Sequence, residues 1–373
     1  MASLNCFASS FATPSASLSS SFIVATTDAC SMTATDATTL GSRVLRSLVQ
    51  EASINTQAQS LDLGGIVWLE HLNLVVGDMS TATKFYVDFL GMTPERDANP
   101  KSNHFNLGQQ QLHLAAAEHD GDSPQRVTGS IGLTVPSLQS IRSRLPRAKS
   151  ELKGSLFTVE GDDDANVLTV TCPWGNVIHL YDISIDDEHQ CTDAASQSSS
   201  KKMVVFHSSG GVYGPHRMAV RGQPGIRYVE IACRKGTIDS IAEFYKELIG
   251  CHVTRTKGVA IVCVGPGVHL TFVESEQLTE NSVKRMEGVH ACIYIPNFQR
   301  TYNLLKERNL VWTNPRFMHL DSCETWEECL SSRTFRFKDI LDLETGEKIL
   351  ELEHETRPML HGQYMKVPPY IPN

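Results

Sequence analysis

Five histidines of this chain stand inside short, apolar, strand-like runs: His71, His113, His179, His269 and His290. Imidazole ligates divalent metals and carries protons near neutral pH, so residues of this kind are candidates for either task. A single strand histidine is more often just a polar partner of its neighbours. Spacing makes these more interesting. His71 and His113 lie 42 residues apart, and Tyr228 and His269 lie 41 apart. Other motifs carry less. Glu353-His354-Glu355 lacks the second histidine of a zincin helix. Cys323 and Cys329 do not have a zinc spacing, and no CxxC pair occurs. Asp162-Asp163-Asp164 is not followed by EF-hand spacing and reads as a solvated turn. There is no phosphate-binding glycine loop and no nucleophile elbow.

The elements that must hold these side chains repeat along the chain. Glu70 to Val76 alternates with period 2, as a half-buried strand does. A helical stretch follows, with Phe85-Tyr86 and then Leu90-Gly91, where the glycine is a helix stop. Tyr228 to Cys233 repeats the strand, and Phe244-Tyr245 with Ile249-Gly250 repeats the helix. Ile131 to Pro136 leads to Leu145 as Ala291 to Pro296 leads to Leu305. Closing strands end near His179-Leu180-Tyr181 and Glu351-Leu352-Glu353. The chain therefore reads as four βαβββ units, at 66–118, 129–183, 226–275 and 288–356. At helical spacing, Phe85, Tyr86, Phe244 and Tyr245 are expected in the core.

Composition bounds the remainder. The 373 residues are 41% hydrophobic with a formal net charge of -9, enough for two globular domains. No basic stripe occurs, so neither nucleic acid nor an anionic membrane surface is an expected partner. No apolar run reaches the length of a membrane helix. The ten cysteines are scattered, several of them in apolar runs, which suits free thiols in a reducing compartment. The first 40 or so residues are rich in Ser, Thr and Ala, with Asp28 and Asp36 their only acids and no Lys or Arg before Arg43. Such a segment cannot bury a core and is expected to be disordered. It reads either as a plastid transit peptide or as a plain tail. The expected location is intracellular, in a plastid or otherwise in the cytoplasm.

His71-x-x-Leu74-x-Val76-x-Asp78, then Phe85-Tyr86-x-x-x-Leu90-Gly91, resembles the first unit of the vicinal-oxygen-chelate (VOC) superfamily. That superfamily includes glyoxalase I, bleomycin-resistance proteins and extradiol dioxygenases. Pro173-Trp174-Gly175-Asn176-Val177-Ile178-His179-Leu180 resembles its closing motif. The resemblance implies an α+β fold of two tandem VOC domains, each a pair of βαβββ units forming a cupped mixed sheet. The expected division is an extension over 1–60, domains at 66–183 and 226–356, a linker at 184–224 and a tail at 357–373. It further implies a divalent metal (Fe, Ni, Zn or Mn) in the cup, chelated by two neighbouring oxygens of a small-molecule substrate.

Carried over residue by residue, the family's ligand positions fall on His71, His113, Ser130 and His179 in the first domain. In the second they fall on Tyr228, His269, His290 and Glu351, with Glu353 as the fallback carboxylate. Tyr228 or Glu230 would then assist proton transfer. The first set has no carboxylate, so if one cup is silent, the first is expected to be. The implied function is a metal-dependent lyase, isomerase or dioxygenase. The alternatives are a non-catalytic, bleomycin-resistance-like binding protein with degenerate metal sites, or a structural repeat. A homodimer is compatible with all of them.

Overall fold

The computed structural model of the protein describes residues 65–96, 99–108, 110–117, 123–161, 167–183 and 225–365. The N-terminal extension with its transit-peptide reading, the 184–224 linker and the Asp162–Asp164 turn lie outside these residues. No described helix is long and apolar enough to cross a membrane. The described cysteines are free and buried.

The four units appear in order. Unit one is β1 (Trp68–Val76), α1 (Met79–Ala82) with a π-helical continuation (Thr83–Phe89), β2 (Thr93–Pro94), β3 (Ser102–Asn106) and β4 (Gln111–Ala116). Unit two is β5 (Ser130–Val135), α2 (Leu138–Glu151), β6 (Thr158–Glu160), β7 (Val167–Thr171) and β8 (Val177–Asp182). Unit three is β9 (Gly225–Cys233), α3 (Ile238–Phe244) with its own π-helical continuation (Tyr245–Ile249), β10 (Val253–Thr256), β11 (Val259–Cys263) and β12 (His269–Glu274). Unit four follows a short helix, α4 (Glu280–Lys284). It comprises β13 (His290–Ile295), α5 (Phe298–Lys306), α6 (Met318–Asp321), α7 (Trp326–Ser332), β14 (Phe335–Leu341) and β15 (Lys348–Pro358).

Local signals fix the helix ends. The Asp78 carboxylate accepts from Thr81 N at 2.7 Å and caps α1. Gly250 ends the second helical stretch at φ 85°, a conformation open to glycine. Phe85, Tyr86, Phe244 and Tyr245 are all buried in the continuous apolar core.

Two mixed sheets form, in the orders β14-β15-β13-β1-β4-β3-β2 and β10-β11-β12-β9-β5-β8-β7-β6. Each is made from two units, but the partners are not neighbours in the expected sense. β1 pairs antiparallel with β13 (Asn73 opposite His290), and β5 pairs antiparallel with β9 (Gly132 opposite Tyr228). Units one and four make an outer cup, and units two and three make an inner one. Residues 66–183 and 226–356 therefore do not each close their own sheet. The hydrophobic pattern cannot distinguish the two arrangements, because every unit leaves the same kind of strand edge open for pairing. β5 and β13 are central in their sheets and buried along their whole length. Each large aliphatic side chain buried there stabilises the fold by about 1.5–3 kcal/mol.

Alternation along β1 sends Leu72, Leu74 and Val76 into the core, and His71 and Asn73 to the opposite, cupped face. One irregularity modifies this. Opposite Ile293 and Cys292 the pairing jumps from Leu69 to His71, so Glu70 is an extra residue in a bulge. The inner sheet repeats it: opposite Leu133 and Gly132 the pairing jumps from Ile226 to Tyr228, leaving Arg227 as the extra residue. The bulge adds a charged side chain to each cup, acidic in the outer and basic in the inner.

Candidate metal centre

On the outer cup, β1 supplies His71, β4 supplies His113, β13 supplies His290 and β15 supplies Glu355. His71, His290 and Glu355 each offer a ligand atom, and these atoms lie within 4.8 Å of one another. Glu355 Oε2 is 3.7 Å from His71 Nε2 and 3.6 Å from His290 Nε2. His113 stacks on His71 with ring centroids 3.6 Å apart, and His104 stacks on the other face of His113 at 3.6 Å. The Nε2 of His113 meets Gln111 Oε1 at 2.9 Å. A cavity of about 360 Å³ opens above the cluster.

The electrostatics suit a cation. Burial drives the His71 pKa down to about 4 against the opposing pull of Glu355. Burial, and then His71 and His104, hold His113 well below the usual imidazole range. Both rings are neutral at pH 7 and have lone pairs to offer. His71 is 1% exposed, yet neither of its ring nitrogens has a hydrogen-bond partner, an arrangement a metal would satisfy. Burial would raise the Glu355 pKa, but Arg357, His290, His71 and Arg336 outweigh it and keep the carboxylate ionised.

Charge pairing extends outward. Arg336 bonds Asp321 at 2.7 Å, Glu353 at 2.8 Å and Glu355 at 3.0 Å. Arg357 bonds Glu70 at 2.9 Å and also contacts Glu355. Four buried carboxylates thus face two guanidiniums. Counted as ionised, they leave an excess of two negative charges, which a divalent cation would offset.

The inner cup occupies the equivalent positions differently. Tyr228 stands where the outer cup has His71, Ser130 where it has His290, and His179 where it has Glu355, while His269, level with Tyr228 in the ladder as Gln111 is with His71, stands where the outer cup has Gln111. The Tyr228 hydroxyl meets His179 Nδ1 at 2.8 Å and the Tyr181 hydroxyl at 3.0 Å. Its ring lies against Gly132, where a Cβ would come within 2.3 Å of it. Burial and then Tyr181 raise the Tyr228 pKa well above the normal phenol value, so it stays protonated. Burial pushes Glu230 up to about 7, opposed by the Ser130 hydroxyl, and drives His269 down to about 4. Arg227 bonds Thr134 at 3.0 Å and covers the Tyr181 ring at 4.8 Å. The Tyr228 ring packs with Tyr181 and Ile261 on this cup, and the bulged position carries the Arg227 guanidinium where the outer cup has the Glu70 carboxylate.

The sequence-derived ligands are therefore redistributed. His71, His113 and His290 meet on one cup. Ser130, His179, Tyr228, Glu230 and His269 lie on the other. Glu351 joins neither cluster: its carboxylate bonds Lys338 and Lys348, each at 2.9 Å. Glu353 bonds Asn314 at 2.9 and 3.0 Å besides Arg336. Glu355 takes the position expected of Glu351, because β15 begins five residues before its register with β13 starts at Glu353. Glu351, Glu353, Glu355 and Arg357 alternate on one strand face, so the sequence held the right face but not the register. Glu70 and Arg336 were not anticipated. Only the placement of Glu70 directly before a candidate ligand hinted at it.

No curated protein sequence matches the chain. Solved structures of related shape include glyoxalase I from Zea mays, 14% identical, covering 78% of this chain and 92% of that one at TM-score 0.43. Another is the 2,3-dioxygenase LapB from Pseudomonas sp. KL28, 12% identical, covering 84% and 98% at TM-score 0.26. A third is the cppA protein from Streptococcus pneumoniae TIGR4, 12% identical, covering 79% and 100% at TM-score 0.39. Residues 68–180 match the family model of the Glyoxalase/Bleomycin resistance protein/Dioxygenase superfamily. The matched stretch spans units one and two and less than half of the chain.

Proposed function

We propose that the outer cup is a divalent-metal site held by His71, His290 and Glu355, with His113 beside them. The protein is then a metal-dependent enzyme of the glyoxalase or dioxygenase kind, acting on a small substrate with two vicinal oxygens. The observation that carries this reading is the meeting of those three ligand atoms within 4.8 Å, brought from opposite ends of the described chain. Two imidazoles and a carboxylate suit Fe, Ni, Zn or Mn and leave coordination positions open. A metal bound there supplies Lewis acidity to two adjacent substrate oxygens. Glu70, carried onto the cup face by its bulge and clustered with His71 and Cys292, is the carboxylate to which we assign proton transfer. Tyr228 and Glu230 belong to the other cup and are left without a role in this chemistry.

One observation favours a second reading. Arg336 and Arg357 both contact Glu355, which satisfies the carboxylate without any metal. That would make the cup a metal-free binding site. Metal analysis of the purified full-length protein separates the two. The metalloenzyme reading expects about one equivalent of a transition metal per chain, and less than about 0.1 after reconstitution overturns it.

A further inference from the structure

We propose that the outer cup takes an organic anion and that Arg316 selects it. The proposal rests on the metal-site reading above. It starts from the segment between α5 and β14. The same connection in unit two, from α2 to β6, is closed by residues 152–157, whereas here residues 307–334 are used and α6 and α7 lie within it. This insertion roofs the cup. It is fastened by a bridge from Val311 to Phe337, by Trp312 N donating to Arg336 O at 2.8 Å, and by the Asp321–Arg336 pair. Its tip brings Arg316, Phe317 and Leu320 to the wall of the same cavity that exposes His71, His290 and Glu355.

The cations around that cavity are not equivalent. Arg336 and Arg357 are each already paired with two or more carboxylates. Arg316 has no carboxylate partner among the described residues, and only its backbone N–H is committed, to Asn314 Oδ1 at 3.0 Å. Its guanidinium carbon sits 5.5 Å from the Phe317 ring centre, within cation–π range. The Phe317 ring in turn stands edge-on to His290 at 5.8 Å. Arg316 is thus within about 11 Å of the His290 ring by way of Phe317. Once the two surplus negative charges of this carboxylate–guanidinium network are met by a divalent ion, the Arg316 charge remains uncompensated at the mouth. Leu320, 68% exposed, adds apolar surface beside it. A ligand that fits has vicinal oxygens at one end, an apolar body, and one negative charge at the other.

The test uses zinc-reconstituted full-length protein, whose zinc content is measured first. The probes are 3-(3,4-dihydroxyphenyl)propionate and its primary amide, which differ only in charge at the far end. Titration calorimetry should find the acid about tenfold tighter than the amide, as one charge-assisted hydrogen bond at a partly exposed site provides. Arg316→Gln should bring the acid down to the amide and leave the amide unchanged. Equal affinities in the unaltered protein, a preference that survives Arg316→Gln, or zinc-loaded protein that binds neither probe would each overturn the proposal. Failure to take up zinc refutes the metal-site reading instead. An Arg316-dependent preference found in zinc-free protein supports the selection of an anion by itself.

Discussion

Glu230→Gln probes the inner cup where its chemistry is most open to measurement. The native carboxyl has a pKa of about 7, raised from 4.5 by burial. The folded state therefore holds the proton more tightly than the unfolded chain does. The stability contributed by this group is whole below pH 4.5 and is lost as the pH rises through 7. At about 1.4 kcal/mol per pH unit the gap corresponds to about 3 kcal/mol. Glu230 keeps a partly exposed edge, so about 2 kcal/mol is the expected amount after allowance for solvent. Glutamine keeps the shape and cannot ionise. Urea unfolding of both proteins from about pH 4.5 to about pH 8.5 should show the variant gaining on the parent by that amount as the pH rises. A difference that does not change with pH refutes the burial account. A difference that changes in the opposite sense would mean that a cation sits beside Glu230.

Alanine at His71 and alanine at His290 should each abolish metal binding, although the two residues lie in different halves of the chain, whereas His269→Ala should leave metal content unchanged. Elemental analysis reads all three, and metal retained in either of the first two would break the proposed ligand set. Gly132→Ala places a methyl group against the Tyr228 ring and should cost about 1–3 kcal/mol, seen as a lower Tm; an unchanged Tm would mean that the ring moves freely. Tyr245→Phe removes the hydroxyl that meets His354 Nε2 at 2.9 Å and should cost about 1–3 kcal/mol by leaving a buried nitrogen unpaired. Denaturant unfolding at constant m-value checks that loss.

Much of the fold was legible because strand and helix periods are local. Leu72, Leu74 and Val76 declare a strand face within a few residues, and Phe85-Tyr86 and Phe244-Tyr245 declare the helices that cover it. Which strand meets which is not local. β1 had two equivalent edges to choose from, β5 and β13, and nothing in their alternation separates Ile131 from Ile293. The same limit divided the site. His71, His113 and His290 could be recognised singly, but their assembly depends on the pairing. Glu355 was missed for a related reason, since alternation gives the face of β15 and only the ladder with β13 gives its register. Arg336 carried no signal at all, because its carboxylate partners come from the roof and from β15 together.

The pairing of the first unit with the last also bears on how the chain is made. A ribosome releases β1 long before β13 exists, so one edge of the nascent β1 stays bare until nearly all of the protein has emerged. Units two and three are consecutive in the chain and can join first, giving the outer strands a finished body to close upon. Synthesis that stops short of β13 would leave His71, His113 and the apolar strand around them unmatched, a template for aggregation rather than half a site. The proposed metal centre is therefore a late product of synthesis, assembled only when the two ends of the folded chain are both present.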